Sequence, residues 1–311
     1  MPVDPWTPQS GQGRRRSFVF AAGLLTALSF GPAALAQDAD ASAGPGQQAI
    51  DQNRQEAIDQ NRQEAIEIVR GMARYISGEP DIALAYDSAL EVVTPQLEKL
   101  QFNSSGKAAI SRPDKFRVSR VGGYADVEMI YDGAQVTIFD RTAKLYASQP
   151  MTGPIDSVVD RLRGELRLDF PAADLLIADS FNALMDDVLE AKHIGQAVVG
   201  GVDCEHVAFR NHDTDWQLWV EAGAQPIPCK VVITSKTVAA APQYSIRFTD
   251  WQTGEGFPAS TFAFTPPEGA RKVDFDSLAE IDEVPSGVAV PPASAARPPV
   301  GASEAKPGES K

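Results

Sequence analysis

From about Ile82 to Ala147 apolar side chains recur at every second position, a period that predicts antiparallel strands. Lys115-Phe116-Arg117-Val118-Ser119 alternates cleanly and Val127-Glu128-Met129-Ile130-Tyr131 nearly so. Asp132-Gly133 then supplies a hairpin turn before Val136-Thr137-Ile138-Phe139. Pro113 and Gly122-Gly123 mark further corners, and Ser104-Ser105-Gly106 reads as a bend. Residues 153–193 break the alternation. Ile155, Val158, Val159, Leu162 and Leu166 fall at helical spacing, a second short helix starts at Pro171, and a third is expected from Phe181 to Leu189. Strands resume over Ala197–Val199, Val202–Arg210, Trp216–Glu221, Lys230–Lys236, Tyr244–Trp251 and Ser260–Phe264, joined by short turns.

The ends carry other signals. Arg14-Arg15-Arg16, an uncharged run from Ser17 to Leu35 and the triplet Ala34-Leu35-Ala36 have the three parts of a secretory signal peptide, so residues 1–36 are expected to be removed and the mature chain to start at Gln37. The apolar run is short for a membrane helix and is broken by Gly23, Gly31 and Pro32, so no membrane anchor is expected after cleavage. Arg15-Arg16-Ser17-Phe18-Val19 suits the twin-arginine route, and three arginines before an apolar run suit the general secretory route equally. Next, the octad Ala49-Ile50-Asp51-Gln52-Asn53-Arg54-Gln55-Glu56 recurs as residues 57–64. On a helix an eight-residue step overshoots two turns by about 80°, so Ile50 and Ile58 drift around the axis and make no seam. Residues 37–61 are therefore read as a polar helical extension, whereas Ile66, Val69, Met72, Ala73 and Ile76 form a stripe that should pack on a core. Residues 62–276 suffice for one domain, and 277–311, rich in Pro, Ala, Gly, Ser and Glu, read as a disordered tail.

Charge narrows the function. Losing residues 1–36 removes three Arg and one Asp, which takes the formal charge from −14 to −16. Such a chain repels phosphate backbones, and no basic stripe with interleaved aromatics offsets this, so no nucleic-acid partner is expected. An exported chain lacks a supply of ATP or nicotinamide, and no Gly-rich phosphate loop or Gly-x-Ser-x-Gly elbow is present; neither a cofactor nor an enzymatic activity is expected. His193, His206 and His212 are the only histidines. Cys204 and His206 share one strand face, which falls short of a zinc ligand set, so no metal is expected and His206 reads as a strand histidine with a local hydrogen bond. Asp213-Thr214-Asp215 reads as a turn.

Cys204 and Cys229 are the only cysteines, and export makes a disulfide their default. A strand between them would separate their Cα atoms by about 9.6 Å, two strand spacings and beyond reach of a bridge. Bridging then requires strong twist, or Cys229 leaving the ladder after Pro226 and Pro228. Apolar residues also occupy both faces of several strands: Trp216, Leu218 and Val220 point one way and Trp219 the other, while Val207 and Phe209 oppose Cys204 and Ala208. Either helices cover a second face, or a curved sheet encloses apolar volume beneath the insertion. In the latter case Trp216, Leu218 and Val220, with Tyr244, Ile246 and Phe248 and with Phe116 and Val118, line the interior and form the ligand-binding set.

Several segments resemble the domain-of-unknown-function 2092 family of exported bacterial proteins. They are Leu100-Gln101-Phe102-Asn103-Ser104-Ser105-Gly106, Arg112-Pro113-Asp114-Lys115, Tyr131-Asp132-Gly133, Pro171-Ala172-Ala173-Asp174-Leu175-Leu176, Asp215-Trp216-Gln217-Leu218-Trp219-Val220, and Pro228-Cys229-Lys230-Val231-Val232-Ile233-Thr234. The family is similar in fold to the LolA-like periplasmic lipoprotein carriers. The resemblance implies a mainly β (α+β) protein, a curved antiparallel sheet or half-open β-barrel with a helical lid insertion and an N-terminal helix. It further implies a periplasmic, non-enzymatic carrier-like protein for a hydrophobic ligand, either lipid or the acyl chains of a lipidated protein. The alternative is an interaction or sensory module that binds an envelope protein with the same scaffold. The shared motifs are turns and strand cores, and they transfer no ligand residue.

Overall fold

The computed structural model describes residues 45–166, 168, 172–254, 256–275, 278, 284 and 288; the signal peptide, Pro171 and nearly all of the 277–311 tail lie outside them. Residues Ala49–Lys311 form one compact unit. Helix α1 (Pro45–Gly78) is followed by a meander of six strands: β1 (Asp81–Val93), β2 (Lys99–Ser111), β3 (Lys115–Gly122), β4 (Asp126–Tyr131), β5 (Gln135–Asp140) and β6 (Leu145–Pro150). The insertion holds α2 (Ile155–Leu166), a 3₁₀ turn at Ala173–Leu175 and α3 (Ser180–Met185). A second meander follows: β7 (Glu190–Val199), β8 (Val202–Arg210), β9 (Thr214–Glu221), β10 (Pro228–Ser235) and β11 (Gln243–Thr253), and a short β12 (Arg271–Lys272) closes the set.

All twelve strands belong to one unclosed sheet in the order β12-β6-β5-β4-β3-β2-β1-β11-β10-β9-β8-β7. The two meanders join where β1 pairs with β11. Among the described strands only β12, beside β6, runs parallel to its neighbour. The fold class read from the sequence holds: a mainly β, curved, half-open sheet with an N-terminal helix and a helical insertion.

Register explains why one face is continuously apolar. Ile82, Ile110, Phe116, Tyr131 and Val136 stand side by side across five strands. In the other meander Val207, Leu218, Val231 and Ile246 do the same. Because side chains alternate strictly along a strand, a one-residue slip in any of these pairings would send the whole row into water.

Three local readings change. Ser104-Ser105-Gly106 is the middle of β2 and not a bend. Gly106 pairs with Tyr86, whose ring crosses it to donate a hydrogen bond from its hydroxyl to the Ser119 carbonyl (3.0 Å), so no Cβ fits there. Ser260–Phe264 is no strand: Ala259–Phe262 is a 3₁₀ turn. The spacing of Phe262 and Phe264 comes from packing on the outer face of the sheet, where Phe264 meets Phe139 and Tyr146, Phe262 meets Phe257, and Arg117 donates to the Thr261 carbonyl. The strand expected at Ala197 begins at Glu190. Beyond the domain's expected end, Leu278 is buried in the core.

Candidate functional site

The eight residues expected to line an interior share one face of the sheet and one apolar cluster. Phe116, Trp216, Leu218, Val220, Ile246 and Phe248 are buried, and Val118 and Tyr244 are partly so. What packs on them is helical. Ala65, Val69, Met72 and Ile76 of α1 and Ile155, Val158, Val159 and Leu162 of α2 enter the same cluster. The α1 stripe thus packs as its spacing indicated, and the concave side of the sheet is occupied by helices and not by a second sheet.

The insertion is fastened by a small set of polar contacts. The Tyr131 hydroxyl donates to the Gly153 carbonyl (2.6 Å) and the Ile155 amide to the Pro113 carbonyl (2.9 Å). The Asp156 carboxylate receives the Ala178 and Asp179 amides, both at 3.0 Å, and Arg163 pairs with Asp174 (2.7 Å). Arg112 is the central fastener. Its guanidinium donates to the carbonyls of Glu79 (3.2 Å), Ile76 (3.5 Å) and Leu176 (2.7 Å), so one side chain ties β2 to the end of α1 and to the insertion. Burial pulls its pKa down, partly offset by the Asp156 charge. Arg70 of α1 lies over the Phe181 ring of α3, 4.1 Å from its centroid. Among the described residues two buried polar atoms, Ser180 Oγ in the insertion and Trp251 Nε1 on β11, have no partner.

At the β7 edge a second polar cluster holds the duplicated helix. The Asn61 side-chain amide donates to the His193 carbonyl (2.7 Å) and accepts from the His193 amide (3.0 Å), so it pairs with the strand as another strand would. The His193 ring reaches Glu64 on α1 (Nδ1, 3.3 Å) and Glu205 on β8 (Nε2, 2.8 Å). Burial alone would lower the pKa of His193, but hydrogen bonds to Glu205 and Glu64 and their charges outweigh it and raise the pKa above its ordinary 6.5. A raised value means the stabilisation is complete below the unfolded pKa and is lost as pH rises through the folded one. The His193 ring protons should therefore titrate by NMR with a midpoint above 6.5, and Glu205→Gln should lower it. A midpoint at or below 6.5 in the native chain contradicts the cluster. Beside it lies an open groove of about 480 Å³ lined by Ala57, Ile58 and Ala191 together with Asn61, Arg54, Arg62, Lys192 and Glu190.

On the outer face His206 stacks on Trp219 (4.2 Å between centroids) and its Nε2 lies 3.0 Å from the Gln217 side-chain oxygen. Burial lowers its pKa, with Gln217 opposing and the His193 charge adding to the shift. Asp215 is held by Arg210 and Lys236. Among the described residues no group of three His, Cys, Asp or Glu side chains is placed to hold a metal ion. Cys204 and Cys229 are both buried and touch each other. The functions of Arg112 and Asn61 were invisible in the sequence.

A family model described as a predicted periplasmic protein, the domain-of-unknown-function 2092 family, matches residues 65–276, and the chain belongs to that family. The periplasmic localisation expected from the signal segment agrees with this description. Among the described residues no helix is long and apolar enough to cross a membrane. No curated protein matches the chain. The solved structures it is similar to include LprF from Mycobacterium bovis, at 13% identity and TM-score 0.37, covering 67% of this chain and 98% of that one. Lipoprotein LppX of Mycobacterium tuberculosis is similar at 12% identity and TM-score 0.36, covering 63% and 98%. A putative outer membrane lipoprotein-sorting protein domain from Vibrio parahaemolyticus is similar at 12% and 0.32, covering 65% and 97%.

Proposed function

We propose that this member of the domain-of-unknown-function 2092 family is a non-enzymatic periplasmic binding protein. It takes a hydrophobic ligand, lipid or the acyl chains of a lipidated protein, against the concave face lined by Phe116, Val118, Trp216, Leu218, Val220, Tyr244, Ile246 and Phe248. The observation that carries this reading is the cover of that face. Beside the α1 stripe it is the helical insertion, held by the apolar side chains of α2, a few hydrogen bonds and one cation–π contact, and not a second sheet with a continuous ladder. Each methylene moved from water onto such a face contributes about 0.8 kcal/mol, so an acyl chain binds without charged chemistry once α2 and α3 swing aside.

The Arg70–Phe181 contact supplies the test. Arg70→Cys combined with Phe181→Cys, bridged by a bis-maleimide crosslinker with a disulfide in its spacer, should lock α3 to α1. The locked protein should lose uptake of a fluorescent fatty acid and regain it with reductant, and lipid should co-purify with the native chain by mass spectrometry. Unchanged uptake in the locked form, or none in the unlocked one, favours the second reading, an envelope-protein interaction module. One observation speaks for that reading: Ile194 and Val198 on the edge strand are 55% and 67% exposed.

A further inference from the structure

We propose that Cys204 and Cys229 are joined in the periplasm by an intramolecular disulfide, and that this bond closes during folding, before the β7–β8 turn packs down beside it. Cys204 sits on the outer face of β8 opposite Glu221, the last residue of β9. Cys229 belongs to β10, on the far side of β9, where a regular ladder would hold the two apart. The ladder is not regular there. The β9–β10 pairing shifts register between Pro228 and Lys230, and Cys229 is the residue left over. A bulge of this kind bends the strand and re-aims the extra side chain. The Cys229 side chain meets that of Cys204, in the way open to it once it leaves the ladder.

The site is sealed on completion of the fold. Both cysteines are buried, and Cys204 Sγ lies 3.4 Å from the Val202 carbonyl at the start of β8. The adjoining turn holds Gly200 at φ 61° against the Arg247 guanidinium. Burial pushes both thiols up, Cys229 furthest, with the neighbouring thiol and the Glu221 charge adding to its shift. The thiolate is the attacking species in disulfide exchange, and a folded dithiol in this setting holds little of it. Closure therefore belongs to the unsealed β8–β10 meander. One thiolate attacks the disulfide of a protein thiol–disulfide oxidant to give a mixed disulfide, and the second displaces the oxidant. In sum the two thiols give up two protons and two electrons, and the oxidant's disulfide becomes a dithiol. With two cysteines in the whole chain, one intramolecular pairing exists.

Full-length protein isolated from the periplasm without reductant, then denatured in an alkylating reagent and weighed, should carry no label, and two labels after reduction. Two labels without reduction, or a disulfide-linked dimer on a non-reducing gel, would overturn the bond. The order of events is read on the same chain: refolded in the reduced state and given oxidised glutathione at neutral pH, it should oxidise at least about tenfold more slowly than in denaturant. Equal rates would overturn closure before sealing.

Discussion

Met72→Ala should lower the stability of the protein by about 3 kcal/mol, the usual cost of truncating a fully buried methionine whose cavity cannot collapse. Met72 has no exposed surface and belongs to the apolar cluster that joins the helices to the twelve-strand sheet, whose ladder limits how far the site can collapse. For a unit of this size that loss lowers the melting temperature by roughly 6–12 °C. Ile58→Ala on the same helix should change stability by less than about 0.5 kcal/mol, because Ile58 is 54% exposed. Thermal melts of the two variants separate a helix that is part of the core from a polar extension attached to it. Equal shifts would mean that α1 does not pack as described.

Arg112→Met should cost about 3 kcal/mol and expose the insertion to protease. Methionine replaces the volume but supplies no donor, and the carbonyls of Leu176 and Glu79 then lose the guanidinium that bonds them, while Ile76 keeps the Glu79 amide. Arg112→Lys should not rescue the loss, since a single ammonium does not span acceptors on two segments, the end of α1 and the insertion, as a planar fork does. Chemical denaturation reads the stability, and limited proteolysis reads where the chain opens. Cleavage that first appears in α1's exposed first octad, with 153–189 still resistant, would contradict the fastener role.

Much of the sheet was legible because its rule is local. Alternation at Lys115–Ser119 and the Asp132-Gly133 turn need only neighbours to act, and both sit where they were expected. The apolar set from Phe116 to Phe248 could likewise be grouped by parity along each strand. Gly106 misled because a glycine in a strand looks like a break, whereas its cause lies twenty residues away in the Tyr86 ring that crosses it. Phe262 and Phe264 misled for a related reason: two aromatics at spacing two describe an anchor on a sheet as well as a strand in it. Arg112 and Asn61 were unreadable in principle. Each works by satisfying backbone groups brought to it by the tertiary fold, and nothing in the adjacent sequence announces those groups.

An unclosed sheet is a template, and its outermost strands decide whether it stops growing. At one end β12 is two residues long, too short to seed another strand. At the other, Asn61 presents a single amide to the backbone of His193 and consumes the donor and acceptor that an incoming chain would need to find its register. Beyond that point Ile194–Val199 has no strand outside it among the described residues, and Ile194 and Val198 are exposed there. The second octad copy thus carries the residue that occupies the start of this edge, and a net charge of −14 disfavours the close approach of separate molecules to the stretch that is left.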